Sequence, residues 1–259
     1  ELDYVFQSGQ DGYKCYRIPS VIKTNKGTLL AFAEGRVNGP GDAGDIDLVM
    51  KRSTDHGKTW SKLTVVRDIE KTAGNPCPVV DRETGRIVLV FCEMDSSEHH
   101  IMQGKSNRRV FTCYSDNDGT DWSEPVNITD AANPRSEYNW MASGPGVGIQ
   151  IQHGHHTGRM VIPFANSIDH DYGVHTIYSD DRGQTWHISE LIPGGCNESQ
   201  LVEISNGRLL LNMRMQRNGK GKRALSYSDD GGQTWGKLSH DDELTCPVCQ
   251  ASLIGHQAD

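Results

Sequence analysis

A few charged residues set among apolar neighbours carry whatever chemistry this chain can do. Arg17 lies in Tyr16-Arg17-Ile18-Pro19-Ser20-Val21-Ile22, a strand-like run whose proline suits a strand start or edge. A guanidinium there needs an anionic partner, which is either a surface ion pair or a bound carboxylate. Its planar fork pairs bidentately with a carboxylate and keeps its charge at any working pH. Arg36 closes the strand-like run Leu29-Leu30-Ala31-Phe32-Ala33-Glu34-Gly35-Arg36. A glycine-rich acidic loop follows, with Asp42, Asp45 and Asp47 within six residues; alone it reads as a solvated turn or a cation site. Asn75 sits before Pro76 in what is, on its own, an Asn-Pro turn. Glu198 belongs to the strand-like stretch Asn197 to Ile204, where alternation puts it on one face with Gln200 and Val202 and puts Glu203 on the other. A strand glutamate is ordinarily an exposed rung. Here Arg214 follows 16 positions later, after Gly207-Arg208-Leu209-Leu210-Leu211, with Arg217 as a nearby competitor.

Two other clusters invite a metal and do not hold up. Cys246-Pro247-Val248-Cys249 offers two of the four ligands a structural zinc wants and lies in a strand-like run. His153-Gly154-His155-His156 falls between apolar runs and reads as a solvated hairpin tip. No metal site is expected. Two glycosylation sequons occur, at Asn127 and Asn197. A glycan on Asn197 would crowd Glu198, so that sequon is expected to be unused.

The elements that must position these side chains announce themselves by repetition. Ser53-Thr54-Asp55-His56-Gly57-Lys58-Thr59-Trp60 recurs from Ser179 to Trp186 and from Ser228 to Trp235, and a weaker copy runs from Ser115 to Trp122. The starts are separated by 62, 64 and 49 residues, the mark of an array of similar supersecondary units. Ser and Asp side chains can accept from nearby backbone N–H groups, and Gly takes the positive φ of a tight reversal. Trp then anchors the turn as a large apolar peg. Four copies cannot all be one active site, so these aspartates are structural. Trp140, the fifth tryptophan, and Met141 could line an apolar pocket, but read first as core.

Composition narrows the class. The chain has 259 residues, 35% hydrophobic, with 28 glycines, which suits many short strands and turns. No apolar run is long enough for a transmembrane helix, and no signal peptide opens it; Glu1 to Phe6 reads as a strand. A net charge of −8 argues against nucleic acid, and any anionic ligand must be held by a local arginine cluster. Seven scattered cysteines do not form a disulfide framework.

The repeated S-x-D-x-G-x-T-W turn resembles the Asp-box of the sialidase (neuraminidase) family. Tyr16-Arg17-Ile18-Pro19 resembles that family's Y/F-R-I-P motif, Leu29 to Arg36 its "LLAFAEGR" segment, and Gly144-Pro145-Gly146-Val147-Gly148-Ile149-Gln150 its "GPG-x-GIQ" stretch. The resemblance implies an all-β fold, a six-bladed β-propeller of which this chain covers about four to five blades. It implies an exo-α-sialidase that removes terminal sialic acids from glycoproteins, glycolipids or oligosaccharides with retention and without a cofactor. Asp42 would be the acid/base, ahead of Asp45 and Asp47, and Glu198 the activating base. Arg17 and Arg214 would hold the substrate carboxylate, Arg36 would line the rim near the C4 substituent, and Asn75 would contribute to the pocket. The family's nucleophile is a tyrosine, since a carboxylate would meet the substrate's own negative charge. Glu198 would take its proton, and Asp42 would protonate the leaving oxygen.

The third arginine and the nucleophilic tyrosine of the family lie beyond a point matching Asp259. The expectation is therefore one catalytic domain, residues 1–259, truncated at its C-terminus, with Cys249 to Ile254 in the middle of a fifth blade. Alone it would be aggregation-prone through open blade edges and inactive. A secreted, periplasmic or lysosomal setting is expected ahead of a cytoplasmic one. The alternatives are a non-catalytic Asp-box propeller that binds glycan or protein, and a trans-sialidase.

Overall fold

The structure, a computed structural model, describes residues 4–134, 136–168, 171–217, 219 and 221–255. Its strands group into four antiparallel blades. The first holds β1 (Cys15–Lys23), β2 (Leu29–Arg36), β3 (Ile46–Ser53) and the short outer β4 (Thr64–Arg67). The second holds β5 (Thr72–Val80), β6 (Ile87–Met94), β7 (Arg108–Ser115) and β8 (Val126–Asn127), with a short helix α1 (Glu98–Met102) between β6 and β7 and another, α2 (Thr129–Ala132), after β8. In the third, the inner strand is split into β9 (Trp140–Ser143) and β10 (Ile149–Gln150), both paired with β11 (Met160–Ile168). β12 (Asp171–Ser179) and the short β13 (His187–Ile188) and β14 (Ile192–Pro193) complete it. The fourth runs β15 (Cys196–Ser205), β16 (Arg208–Met215), β17 (Lys222–Ser228) and β18 (Ser239–Thr245). One parallel pair, Ile46 with Thr72, joins the first two blades into a continuous sheet.

Blades stack face to face, and period-two alternation divides the middle strands β6 and β11 between two interfaces. In β6, Ile87, Leu89 and Phe91 pack against Leu30, Phe32, Leu48 and Met50 of the first blade. Val88, Val90 and Cys92 of the same strand pack with Met160, Ile162 and Phe164 of the third. Val161 and Val174 meet Leu201, Leu209, Leu211 and Met213 of the fourth. A strand buried on both faces therefore reads as an unbroken apolar run, which is why β6 is buried from end to end.

Each repeated turn begins on the last residue of a blade's third strand and reverses the chain toward the outer strand. Ser53, Ser115, Ser179 and Ser228 accept at Oγ from the glycine N–H four residues on, at 2.8, 2.9, 2.8 and 2.9 Å. Asp55, Asp181 and Asp230 accept from the Thr backbone N–H and its hydroxyl, the latter at 2.6 Å in all three. The weaker copy keeps this bond with its sense reversed: Asn117 Nδ2 donates to Asp121 Oδ2 at 2.8 Å. His56, Asp118 and Arg182 precede the turn glycines at φ of 63°, 65° and 61°. Trp122, Trp186 and Trp235 pack on the inter-blade cores, and Trp60 is half-buried.

Two local expectations change. Tyr4 to Phe6 form no strand, and residues 1–3 lie outside the described residues. Residues 246–255 form no strand either: the two cysteines follow β18 in a turn where Val248 has φ 60°, and the four blades stand at the lower bound of the four to five expected. His99 and His100 lie in α1, capped by the Ser97 side chain. Trp140 and Met141 are core residues, 7% and 3% exposed. No helix among the described residues is long and apolar enough to cross a membrane.

Candidate active site

Arg17 stands beside the non-glycine outlier Ile18, whose φ of 55° is rare for a β-branched side chain. The β1 register slips between Arg17 and Ser20 at this point. Such a bulge re-aims a side chain that regular alternation would place elsewhere. Arg17 Nη1 donates to Asp42 Oδ1 at 2.7 Å and to Pro40 O at 3.2 Å. The Asp42 side chain is 72% exposed, so the carboxyl expected to act as acid is open to a ligand.

Arg36 differs from its expected place at an open rim. It is 2% exposed, beneath the loop that carries Asp42. Its Nη1 donates to Pro40 O, Gly41 O and Asp42 Oδ1 at 2.6, 2.8 and 2.8 Å. The physical cause is Glu34, two residues back on the same face of β2 and 3% exposed, which accepts at Oε2 from Arg36 Nε (3.0 Å) and Nη2 (2.5 Å). Burial alone would depress the guanidinium's proton affinity; the Glu34 and Asp42 carboxylates outweigh it and raise the net value.

Asn75 joins this network through its backbone, donating N–H to Glu34 Oε1 at 2.9 Å. It takes φ 56° at a slip of β5 between Gly74 and Cys77. Its side chain accepts from Arg108 Nη2 at 2.5 Å and donates to Ser143 O at 3.3 Å, so both of its polar atoms are engaged by protein. Arg108 was not singled out in the sequence; its only signal is an arginine doublet opening a strand.

Glu198 and Arg214 form the second network. Arg214 Nη1 donates to Glu198 Oε2 at 2.5 Å, and its Nη2 donates to Gln216 Oε1 at 2.6 Å. Both side chains are 20% exposed, and Arg214 Nε has no partner among the described residues. A register slip between Cys196 and Ser199 interrupts simple alternation here. The competitor Arg217 lies over the Tyr172 ring instead, 5.6 Å from its centroid. Glu203, on the other face, accepts from the N–H groups of Gln152, His153 and Gly207 and staples a hairpin end. Asn197 is buried, with Oδ1 bonded to the Glu198 N–H, in keeping with an unused sequon.

The two networks meet through the inner strand of the third blade. Ser143 Oγ donates to Asn75 O at 2.7 Å, and the Ser199 N–H donates to Gly144 O at 3.5 Å. Gly146 O accepts from Ser20 Oγ at 2.7 Å, while Val147 exchanges two bonds with the Gln200 side chain. The Gly144–Gly148 segment thus fastens β1, β5 and β15 to one another. A concavity of about 890 Å³ lies between the second and third blades, bordering Arg108 and Trp140 but not Arg17, Asp42, Glu198 or Arg214.

Among the described residues one carboxylate group has cation-like spacing: Asp45, Asp47 and Asp68 each place an oxygen within 4.8 Å of the others. Asp47 is buried, donated to by Tyr13 Oη at 2.6 Å, and burial pushes its carboxyl up from 3.8 to about 6. Asp42 stands apart from this group. His153 is held by Glu203 on an exposed turn.

Four stacked blades closed by Asp-box turns, with Arg17 and Glu198 on inner strands paired to Asp42 on a loop and Arg214 on a neighbouring strand, define an Asp-box propeller. The BNR repeat-like domain is matched over residues 27–257, and the chain belongs to this family and, within it, to the sialidases. It is 33% identical to a sialidase of Micromonospora viridifaciens over 95% of this chain and 40% of that protein. It is 32% identical to a sialidase of Bacteroides fragilis over 98% of this chain and 49% of that one. Among solved structures it is similar to the Hadza microbial sialidase Hz136, with a TM-score of 0.86 and 30% identity over 95% of this chain and 51% of that one. The chain thus spans about half the length of the relatives it matches.

Proposed function

We propose that this chain carries most of the active site of an exo-α-sialidase that releases terminal sialic acid from glycoconjugates with retention. The observation that carries the reading is the pairing of each candidate anion-holding arginine with a candidate proton-transfer carboxylate: Arg17 with Asp42 at 2.7 Å and Arg214 with Glu198 at 2.5 Å. In this reading Arg17 and Arg214 take the substrate carboxylate, a group their forks suit. Asp42 protonates the leaving oxygen and later activates water. Glu198 serves a tyrosine nucleophile, which lets attack proceed at a carbon that already bears a negative group. Asn75 and Arg36 shape the floor beneath Asp42. A secreted, periplasmic or lysosomal setting fits such substrates.

The test is release of sialic acid by the full-length protein from a fluorogenic α-sialoside without added metal. Activity that survives a chelator supports the site as described. Absence of release, or full loss on chelation, overturns it.

A further inference from the structure

We propose that Glu34 is a positioning residue that sets the stance of the Asp42 carboxyl through Arg36; the proposal rests on the sialidase reading above. Glu34 touches no position a substrate would occupy, being 3% exposed beneath the site. Its two oxygens are divided between two clients. Oε2 receives Nε and Nη2 of Arg36, while Oε1 receives the N–H of Asn75. With those two nitrogens fixed, Arg36 can turn only Nη1 toward the loop, where it holds Pro40 O, Gly41 O and Asp42 Oδ1. The guanidinium is planar and rigid, so fixing one edge fixes the direction of the other. A glycine-rich loop has little stiffness of its own, and residues 38–45 are mostly exposed. The anchor for the acid is thus a buried ion pair.

The neighbouring strand is shaped to admit that pair. A Cβ on Gly74 would stand 2.3 Å from Glu34 Oε1 and 2.8 Å from its Cδ, so only glycine leaves room for the carboxylate. Gly74 has no positive φ to demand glycine, so the close approach of Glu34 is the reason for it. Asn75, next in sequence, then takes its left-handed conformation with its N–H on the same carboxylate. One buried charge therefore organises the acid loop and the Asn75 backbone together.

General-acid assistance matters in proportion to how badly the leaving group needs a proton. Glu34→Gln keeps the shape but cannot receive both the Arg36 fork and the Asn75 N–H. In the full-length protein, kcat/KM should fall about 30-fold or more on a sugar-linked sialoside such as sialyllactose, within the roughly 10²–10⁴-fold worth of a general acid. On a nitrophenyl sialoside, whose leaving group departs without help, the fall should stay within about threefold. Glu34→Asp should recover part of the loss. Gly74→Ala, which crowds the carboxylate without removing its charge, should show the same dependence on leaving group and decides the matter if Glu34→Gln does not fold. Equal losses on both substrates, in whichever of these variants folds, would mean a merely structural role and overturn the proposal. A wild-type protein that cleaves neither substrate would overturn the sialidase reading itself, a different result.

Discussion

At the scale of single residues, the proposed roles separate in kinetics. Arg214→Ala removes the partner of Glu198 and one grip on the substrate carboxylate, and Arg17→Ala removes another. Each should lower kcat/KM by about 2–5 kcal/mol, the cost of leaving a charge partner unpaired in such a site. Glu198→Gln should depress kcat with KM largely kept, because it alters proton transfer more than binding. Steady-state kinetics decide it: intact turnover in Glu198→Gln contradicts the base assignment. Arg17, Asp42, Glu198 and Arg214 could be singled out as candidates because each sits in a local motif, and the structure pairs them two by two. Glu34 and Arg108 could not, since their importance lies in contacts with Gly74, Asn75 and Trp140 on other strands. The burial of Arg36 was hidden for the same reason: sequence places it at a strand end, and only packing shows the carboxylate that draws it inward.

Asp47 offers a pH test at the same scale. Its folded value, about 6, lies above the ordinary 3.8, so the folded chain holds this proton more tightly than the unfolded chain. The associated stability is full below about pH 4 and is lost as pH rises through 6. Asp47→Asn, which cannot ionise, should therefore gain in Tm relative to wild type as pH goes from 4 to 7. Paired melting curves check this; a variant that loses ground over that window contradicts it.

At the scale of elements, the Asp-box is a self-contained turn lock. Asp230 accepts from the N–H groups of Gln233 and Thr234, from the Thr234 hydroxyl and from Ser228 Oγ. Asp230→Ala should destabilise by roughly 1–3 kcal/mol through the donors left without a partner, seen as a lower Tm. Specific activity of the folded fraction should be unchanged; a loss of kcat with Tm intact would make the boxes catalytic. The box was readable because its bonds run between residues at most four apart. The bulges at Ile18, Asn75 and Glu198 were not readable, because a register slip depends on the partner strand. After Thr245 the described residues turn and bend where a strand was expected.

At the scale of the molecule, repeat spacing predicted an array of similar supersecondary units, and four blades stacked on shared apolar interfaces are what the described residues form. Their inner strands converge through the Gly144–Gly148 segment, which bonds to β1, β5 and β15 and links Asn75 with Ser199 through Ser143 and Gly144. The two half-sites, some 180 positions apart in sequence, depend on this junction for their relative placement. In the proposed function, Asp42, Glu198 and the arginines serve a double-displacement hydrolysis of α-sialosides. Proton NMR of an α-sialoside during hydrolysis by the full-length protein tests it most directly. The α-anomer of free sialic acid should be the first product, converting later to the β form in solution. First appearance of the β-anomer, or no sialic acid at all, would contradict the account.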